Sequence, residues 1–136
     1  MLSKNQIKNI RALSFKKERD EQGLFVAEGE KLVSDLLPFF TCRSLFVTRD
    51  WVSANPSHKS FEYEVIGGLD DMKKVSFLTT PTPMLAVFEK PQIELDFSKL
   101  QKELILILDE IQNPGNFGTI IRIADWFGIK HIICSL

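Results

Sequence analysis

The feature that most restricts the possible folds of this 136-residue chain is a run of five consecutive apolar residues, LILIL at 104–108. Successive side chains of a strand point to opposite faces, so a strand that is apolar at every position needs cover on both. The run is followed by a turn, a stretch of helical spacing that ends at Gly128, and a second apolar run, KHIICS. Together they predict a βαβ unit with parallel strands, whose helix covers one face only.

The other face of this predicted unit needs a cover of its own. Leaving a large aliphatic side chain against water costs about 1.5–3 kcal/mol. The N-terminal part of the chain, a partner, or further polypeptide could provide the cover. We favour the last and expect the chain to be a piece of a longer protein.

The first 92 residues alternate predicted strands with predicted helices. Strands are predicted in GLFVAEG, SLFVT, FEYEVIG and PMLAVFEKP, and helices after Ser3 and in EKLVSDLLPFF, RDWVSAN and GLDDMKKV. This order indicates an α/β domain with a parallel or mixed sheet. KPQIELDFSKLQK is typical of a connector. The predicted organisation is one domain at 1–92, a linker at 93–103 and the start of a second domain at 104–136.

Composition excludes several classes of protein. Apolar residues make up 44% and charged residues 26%, as in soluble globular proteins. We expect a cytoplasmic protein without a membrane partner, because no apolar run approaches the roughly 20 residues of a membrane helix and the N terminus lacks a secretory signal core. Cys42 and Cys134 lack metal-site spacing, which predicts reduced thiols and no bound metal. We interpret five aromatic residues as core rather than as base-stacking platforms: Phe25, Phe39, Phe40, Phe46 and Trp51.

The charge of the chain is unevenly distributed. Residues 1–19 carry six basic residues against Glu18, a local charge of +5, whereas the remainder carries −6. A solvated amphipathic helix would explain the basic residues, and so would an edge that contacts nucleic-acid phosphates. The candidate RNA contacts on this segment are Lys8, Arg11, Lys16 and Arg19.

The turn DEIQNPGNFG follows the LILIL strand, at the end of a strand where open α/β sheets bind their ligands. Pro114-Gly115 predicts a type II turn, and Asn116 is a predicted helix N-cap whose following amides would form an anion site. Gly118 and Arg122 share a helical face. Gly118 has no side chain, so a sugar-phosphate could approach the backbone there next to the Arg122 guanidinium.

Plainer interpretations of this turn remain open. Ordinary turn chemistry, with Arg122 paired to Asp125, would explain the same residues. A flavodoxin-like phosphate binder would use the same helix terminus, although the chain has few strands for such a sheet. The turn lacks both GxGxxG and the Lys-Ser/Thr of a P-loop. The stripe predicted to face the core is Ile120, Ile123, Ala124 and Phe127.

The segment LDEIQNPGNFGTIIRIADWFGI resembles the first signature motif of the SpoU (TrmH-type) RNA 2′-O-ribose methyltransferases of the SPOUT superfamily. The stretches KKERDEQGLFVAEGEKLV and TTPTPMLAVFEKP are similar to that family's substrate-binding domain, which is akin to certain RNA-binding ribosomal proteins. The resemblance implies an α/β fold: a small N-terminal RNA substrate-binding domain followed by the first βαβ unit of an incomplete SPOUT (α/β trefoil-knot) methyltransferase domain. The positions that carry the motif are Asp109, Asn113, Pro114, Gly115, Asn116, Gly118, Ile121, Arg122, Ala124 and Gly128.

The resemblance also implies a function, namely methyl transfer from S-adenosylmethionine to a ribose 2′-hydroxyl of rRNA or tRNA. The family's catalytic Asn and Arg fall on Asn116 and Arg122. Arg122 would contact the phosphate of the target nucleotide, and Gly118 would let the RNA approach. A guanidinium stays protonated, which favours electrostatic stabilisation of the developing alkoxide over a general-base role.

Members of this family bind the cofactor in a knot formed by later motifs, which also support a homodimer. We therefore expect the cofactor-binding residues beyond Leu136, and S-adenosylmethionine binding and homodimerisation only in the full-length protein. The chain alone is expected to be inactive. A non-catalytic RNA-binding module is the alternative hypothesis, and replacing Arg122 separates the two, because only the enzyme would lose an activity.

Overall fold

The computed structural model describes residues 2–56, 61–92, 100 and 103–135. The chain divides into two compact units, Met1–Gln92 and Ile93–Leu136. The predicted linker at 93–103 lies largely outside the described residues. No helix in the described ranges is long and apolar enough to cross a membrane.

The first unit is a mixed four-stranded sheet with helices on both faces. The strands run in the order β1-β4-β2-β3, with β4 antiparallel to β1 and β2, and β2 parallel to β3. The predicted α/β fold is confirmed, and of the parallel and mixed sheets that the sequence left open, the structure has the mixed one. Its elements are α1 (Lys4–Ala12), α2 (Lys16–Gln22), β1 (Leu24–Glu28), α3 (Glu30–Leu36), β2 (Cys42–Thr48), α4 (Arg49–Ala54), β3 (Glu64–Ile66), α5 (Leu69–Lys73) and β4 (Met84–Glu89).

Two apolar cores lie on opposite faces of this sheet. Alternate residues of β4 enter them: Leu85 and Val87 belong to one core, and Met84, Ala86 and Phe88 to the other. Residues of α1 and α5 complete the first core, and residues of α3 and α4 complete the second. Since both faces are covered, β4 is apolar at every position before its final glutamate.

Helix α1 begins at Ser3, as the sequence predicts. The Ser3 hydroxyl accepts a hydrogen bond from the Gln6 N–H (3.2 Å), and the Gln6 side chain accepts one from the Ser3 N–H (2.8 Å). This reciprocal capping box satisfies two amides that a helix start leaves unpaired. Helix α2 was not predicted as a separate element, and it ends at Gly23 in the left-handed conformation (φ 63°).

Of the five aromatic residues predicted to be core, Phe39 is the exception. Its side chain is 82% exposed. The next residue, Phe40, occupies the inward position instead, with its ring centroid 5.5 Å from that of Phe25 and 6.3 Å from that of Phe88. The prediction for Phe39 is therefore wrong, because the chain after α3 turns one of two adjacent rings inward and the other outward.

The second unit is the predicted βαβ. It consists of β5 (Ile105–Leu108), α6 (Pro114–Trp126) and β6 (His131–Cys134), and the two strands are parallel with Ile105 opposite His131. Gly128 follows the helix at φ 71°, which confirms it as the C-terminal stop.

Burial on α6 differs from the predicted stripe. Ala124 is buried (1% exposed), but Ile123 and Phe127 are 52% and 75% exposed. Phe117 and Ile120 are half-buried and share the inward face with Ala124. The prediction for Ile123 and Phe127 is wrong, because Phe117, and not Ile123 or Phe127, completes the face of α6 that packs in this unit.

Candidate functional site

The turn between β5 and α6 is closed by Asn113. Its Oδ1 accepts hydrogen bonds from the N–H groups of Gly115 (2.8 Å) and Asn116 (3.0 Å). Pro114 occupies the first helical position, where a missing N–H costs nothing. The predictions that Asn116 caps the helix and that Pro114-Gly115 forms a type II turn are both wrong, since these residues are helical and Gly115 has no positive φ.

This capping has a consequence for ligand binding. The first-turn amides of Gly115 and Asn116 are already satisfied by the Asn113 side chain, and the Phe117 N–H donates to the Asn113 carbonyl (3.0 Å). The anion site predicted at these amides is therefore filled by the protein itself. The Asn116 side chain is exposed and forms no hydrogen bond within the described ranges. What Asn116 offers a ligand is its carboxamide and not the helix terminus.

Gly118 and Arg122 lie one turn apart on α6, as predicted. A Cβ placed on Gly118 would meet no atom within 4 Å, so the backbone there faces open space. Arg122 is exposed, and it forms neither a hydrogen bond nor an ion pair with any residue that the structure describes. The alternative pairing with Asp125 is thus not formed. Arg122 lines a hollow of about 280 Å³ together with Thr119, Ile123, Trp126 and Phe127.

The loop that precedes this helix is anchored by the residue after β6. The Ser135 N–H donates to the Leu108 carbonyl (3.0 Å), and the Ser135 hydroxyl accepts from the Glu110 N–H (2.9 Å). Glu110 adopts the left-handed conformation (φ 52°), which is uncommon for a residue with a side chain. These contacts leave Asp109 exposed at the carboxyl end of β5.

Two of the four basic residues predicted to contact RNA in the first unit donate hydrogen bonds to backbone carbonyls of the same unit. Arg11 donates from Nε to the Lys74 carbonyl (2.9 Å) and from Nη1 to the Ser76 carbonyl (3.4 Å). Arg19 donates from Nη1 to the carbonyls of Leu13 (3.0 Å) and Ser14 (2.8 Å). Their guanidinium groups therefore already serve as internal hydrogen-bond donors.

The other two basic candidates, Lys8 and Lys16, are exposed. Neither forms a hydrogen bond or an ion pair with a described residue. Their ammonium groups are available to a phosphate, which separates them from the two arginines of the same segment.

The two cysteines are free. Cys42 is half-buried, and this burial raises the pKa of its thiol. Cys134 is exposed at the end of β6. No group of residues in the described part of the chain has the composition and spacing of a metal site.

Comparison with known proteins gives matches to both units. The family model described as the MRM3-like substrate binding domain matches residues 4–86. The 23S rRNA (guanosine(2553)-2′-O)-methyltransferase RlmP of Bacillus subtilis is 29% identical over 132 residues, which cover 96% of this chain and 52% of that protein.

Two solved structures match over 98% of the chain, including the β5–α6–β6 unit. One is described as an RNA methyltransferase of the TrmH family from Porphyromonas gingivalis, with a TM-score of 0.79 and 42% identity. The other is the AdoMet-bound rRNA methyltransferase from Sinorhizobium meliloti, with a TM-score of 0.70 and 30% identity. The chain spans about half the length of each of these three proteins (52%).

Proposed function

Because the chain belongs to the SpoU (TrmH-type) RNA methyltransferase family, with an MRM3-like substrate-binding domain, we propose that the full-length protein methylates a ribose 2′-hydroxyl of RNA with S-adenosylmethionine. Ribosomal RNA is the favoured substrate, because the Bacillus subtilis relative is named for 2′-O-methylation of 23S rRNA and the Sinorhizobium meliloti relative for rRNA methylation. Residues 1–92 would bind the RNA, and 104–136 would begin the methyltransferase domain. The full-length protein would act as a homodimer in the cytoplasm.

The observation that carries this proposal is the unengaged Arg122 beside the open backbone of Gly118. An arginine with no internal partner keeps its planar fork for a phosphate group, two oxygens of which it binds with two parallel hydrogen bonds. The same positive charge stabilises the alkoxide that develops as the 2′-hydroxyl attacks the methyl group. The Asn116 carboxamide, one and a half turns earlier, would hydrogen-bond to the same nucleotide.

We propose that residues other than those described hold the methyl donor. The hollow beside Arg122 has the guanidinium, the Thr119 hydroxyl and the Trp126 indole N–H as its polar side-chain groups, too few to hold an adenosine and an amino acid together. When bound, the donor would supply an electrophilic methyl group and leave as a neutral thioether, while the proton of the 2′-hydroxyl passes to solvent. The proposal assigns the described residues to the RNA side of the reaction.

Replacement of Arg122 tests the proposal in the full-length gene product. We expect Arg122→Ala to lower the rate of methyl transfer to rRNA about 100- to 1000-fold, the loss typical of removing one donor to a developing oxyanion. Arg122→Lys should recover only part, since an ammonium lacks the fork. The assay follows labelled methyl groups into nucleotides that resist alkaline cleavage, the signature of a blocked 2′-hydroxyl.

Lys130→Ala is the matched control, because Lys130 is an exposed base of the same unit that pairs with Glu103 (3.4 Å). It should leave the rate unchanged. Full activity of Arg122→Ala would contradict the assigned role.

A non-catalytic RNA-binding module is the second candidate. It is favoured by the extent of the family-model match, which ends at residue 86, and by the two cores that belong to the first unit alone. Under this alternative the wild-type full-length protein would bind rRNA and transfer no methyl group.

A further inference from the structure

A groove of about 460 Å³ opens at one end of the first unit's sheet. The start of β1, the start of β2 and the end of β4 meet there, because β4 is antiparallel to both of its neighbours. The groove is lined by polar and charged side chains together with one outward-facing ring; the lining includes Gln22, Phe39, Arg43, Glu89, Lys90 and Gln92. It involves none of the residues that the sequence predicts to bind RNA.

Phe39 is the first reason to consider this groove a binding site. Its ring is 82% exposed, more than Phe15 at 68% or Phe77 at 39%. The core does not need this ring, since Phe40 fills the inward position against Phe25 and Phe88. An exposed ring face next to a polar groove is the arrangement on which unpaired RNA bases stack.

The cations at the rim are the second reason. Arg43 is 64% exposed, and its contact with Glu89 uses Nε (3.4 Å to Oε1). Its terminal amino groups form no hydrogen bond with a described residue. Lys90 donates to Asp20 Oδ1 (2.5 Å), which lowers the pKa of Asp20 and holds the ammonium at the groove. A phosphate on either side of a stacked base would lie within reach of a positive charge.

Arg43 also lines two neighbouring hollows along β2, of about 250 and 220 Å³. The larger of these includes Asn9, whose exposed carboxamide forms no hydrogen bond with a described residue. A strand that left the groove in this direction would keep contact with Arg43 and meet a further donor and acceptor.

We propose that this groove binds an unpaired nucleotide of the substrate RNA, with the base stacked on Phe39, the amides of Gln22 and Gln92 at its edge, and Arg43 and Lys90 at the flanking phosphates. The inference rests on the proposed function for its ligand class. It specifies single-stranded RNA, because the bases of a duplex are already stacked on one another and do not expose a face to Phe39.

Equilibrium binding of a fluorescein-labelled decauridine to the chain, followed by anisotropy at several KCl concentrations, tests this site. We expect Phe39→Ala to weaken binding about tenfold, within the range for loss of one base–aromatic stack. Phe39→Trp should restore the affinity, and Phe39→Leu should not, because only an aromatic ring stacks. Arg43→Gln should reduce the slope of log Kd against log salt by about one phosphate contact. Phe77→Ala, an exposed ring outside the groove, is the matched control and should change Kd less than twofold.

Three results would overturn the groove site: Phe39→Leu binding as tightly as the wild type, a ten-base-pair RNA duplex binding as tightly as the single strand, or no binding of decauridine by the wild-type chain. Methyl transfer by the full-length protein is measured separately. If the full-length protein transfers methyl groups but its RNA affinity does not depend on Phe39, the groove site is refuted and the proposed function stands. If RNA binding depends on Phe39 but no methyl group is transferred, the groove site stands and the proposed function is refuted.

Discussion

At the scale of single residues, Glu28 makes the contacts that fix the end of β1. Its carboxylate accepts hydrogen bonds from the Ser76 hydroxyl (2.5 Å) and the Phe77 N–H (2.7 Å). Ser76 is 5% exposed, and its hydroxyl oxygen in turn accepts from the Leu78 N–H (3.1 Å). One carboxylate thus holds the segment between α5 and β4 against β1.

Removal of this carboxylate is expected to destabilise the first unit. We expect Glu28→Ala to lower the free energy of unfolding by about 2–3 kcal/mol, because it leaves two donors without their charged acceptor. Glu28→Gln keeps an acceptor oxygen and should cost about 1 kcal/mol. Urea unfolding followed by the fluorescence of the buried Trp51 measures both.

Glu62→Gln provides the control, because Glu62 is exposed and forms no hydrogen bond or ion pair with a described residue. Its effect should stay below about 0.5 kcal/mol. An alanine variant of Glu28 as stable as the wild type would show that these hydrogen bonds contribute nothing net.

At the scale of elements, glycine conformation decides where helices end. Gly23 ends α2 at φ 63°, and a Cβ there would meet nothing within 4 Å. The penalty of Gly23→Ala is therefore one of backbone conformation alone, about 1–2 kcal/mol of unfolding free energy. Gly68 also has open space around it but a φ of −125°. In Gly68→Ala the poorer N-cap propensity of alanine and its smaller unfolded-state entropy oppose each other, so stability should change by less than about 0.5 kcal/mol. Thermal unfolding of the two variants compares them, and equal losses would refute the conformational explanation.

The same elements explain how much of the fold could be predicted from sequence. Helix ends at Ser3 and Gly128 were predicted correctly because capping chemistry is local. Asn113 and Asn116 both suit an N-cap. Proline favours the first helical position, so Pro114 indicates that Asn113 is the N-cap. The same Pro114-Gly115 pair also suits a type II turn, which is why the sequence alone does not separate the two.

Other features could not be predicted because they depend on the assembled fold. Helix α2 has no apolar stripe that would predict it from the sequence. Its side-chain pairs Lys17–Glu21 and Glu18–Gln22 have helical spacing, but such polar pairs alone do not predict a helix. Of the neighbouring rings Phe39 and Phe40, spacing alone does not tell which one faces Phe88. The candidate groove was missed for this reason.

At the scale of the whole molecule, the two units differ sharply in burial. The first has cores on both faces of its sheet, whereas Ala124 is the one buried residue in the described part of the second. Ile107 of β5 is 72% exposed, as expected of a strand in a unit whose single crossover helix covers one face only. Trp126 and Phe127 are exposed as well (84% and 75%). Resistance to local opening follows buried apolar contacts, so the units should differ in stability.

Native-state hydrogen exchange measures this difference directly. We expect amides of β2 and β4 to exchange at least about 100-fold more slowly than those of β5 and α6, because they open only when two packed cores are lost. Met84 is fully buried, and Met84→Ala should lower the free energy of opening of β2 and β4 by about 2–5 kcal/mol. It should leave exchange in β5 and α6 unchanged if each unit opens by itself. Ile107→Ala, at an exposed position of β5, is the reciprocal control and should not affect β2 or β4. Equal protection in the two units, or a loss of protection in α6 on replacing Met84, would mean that the chain opens as a single cooperative unit.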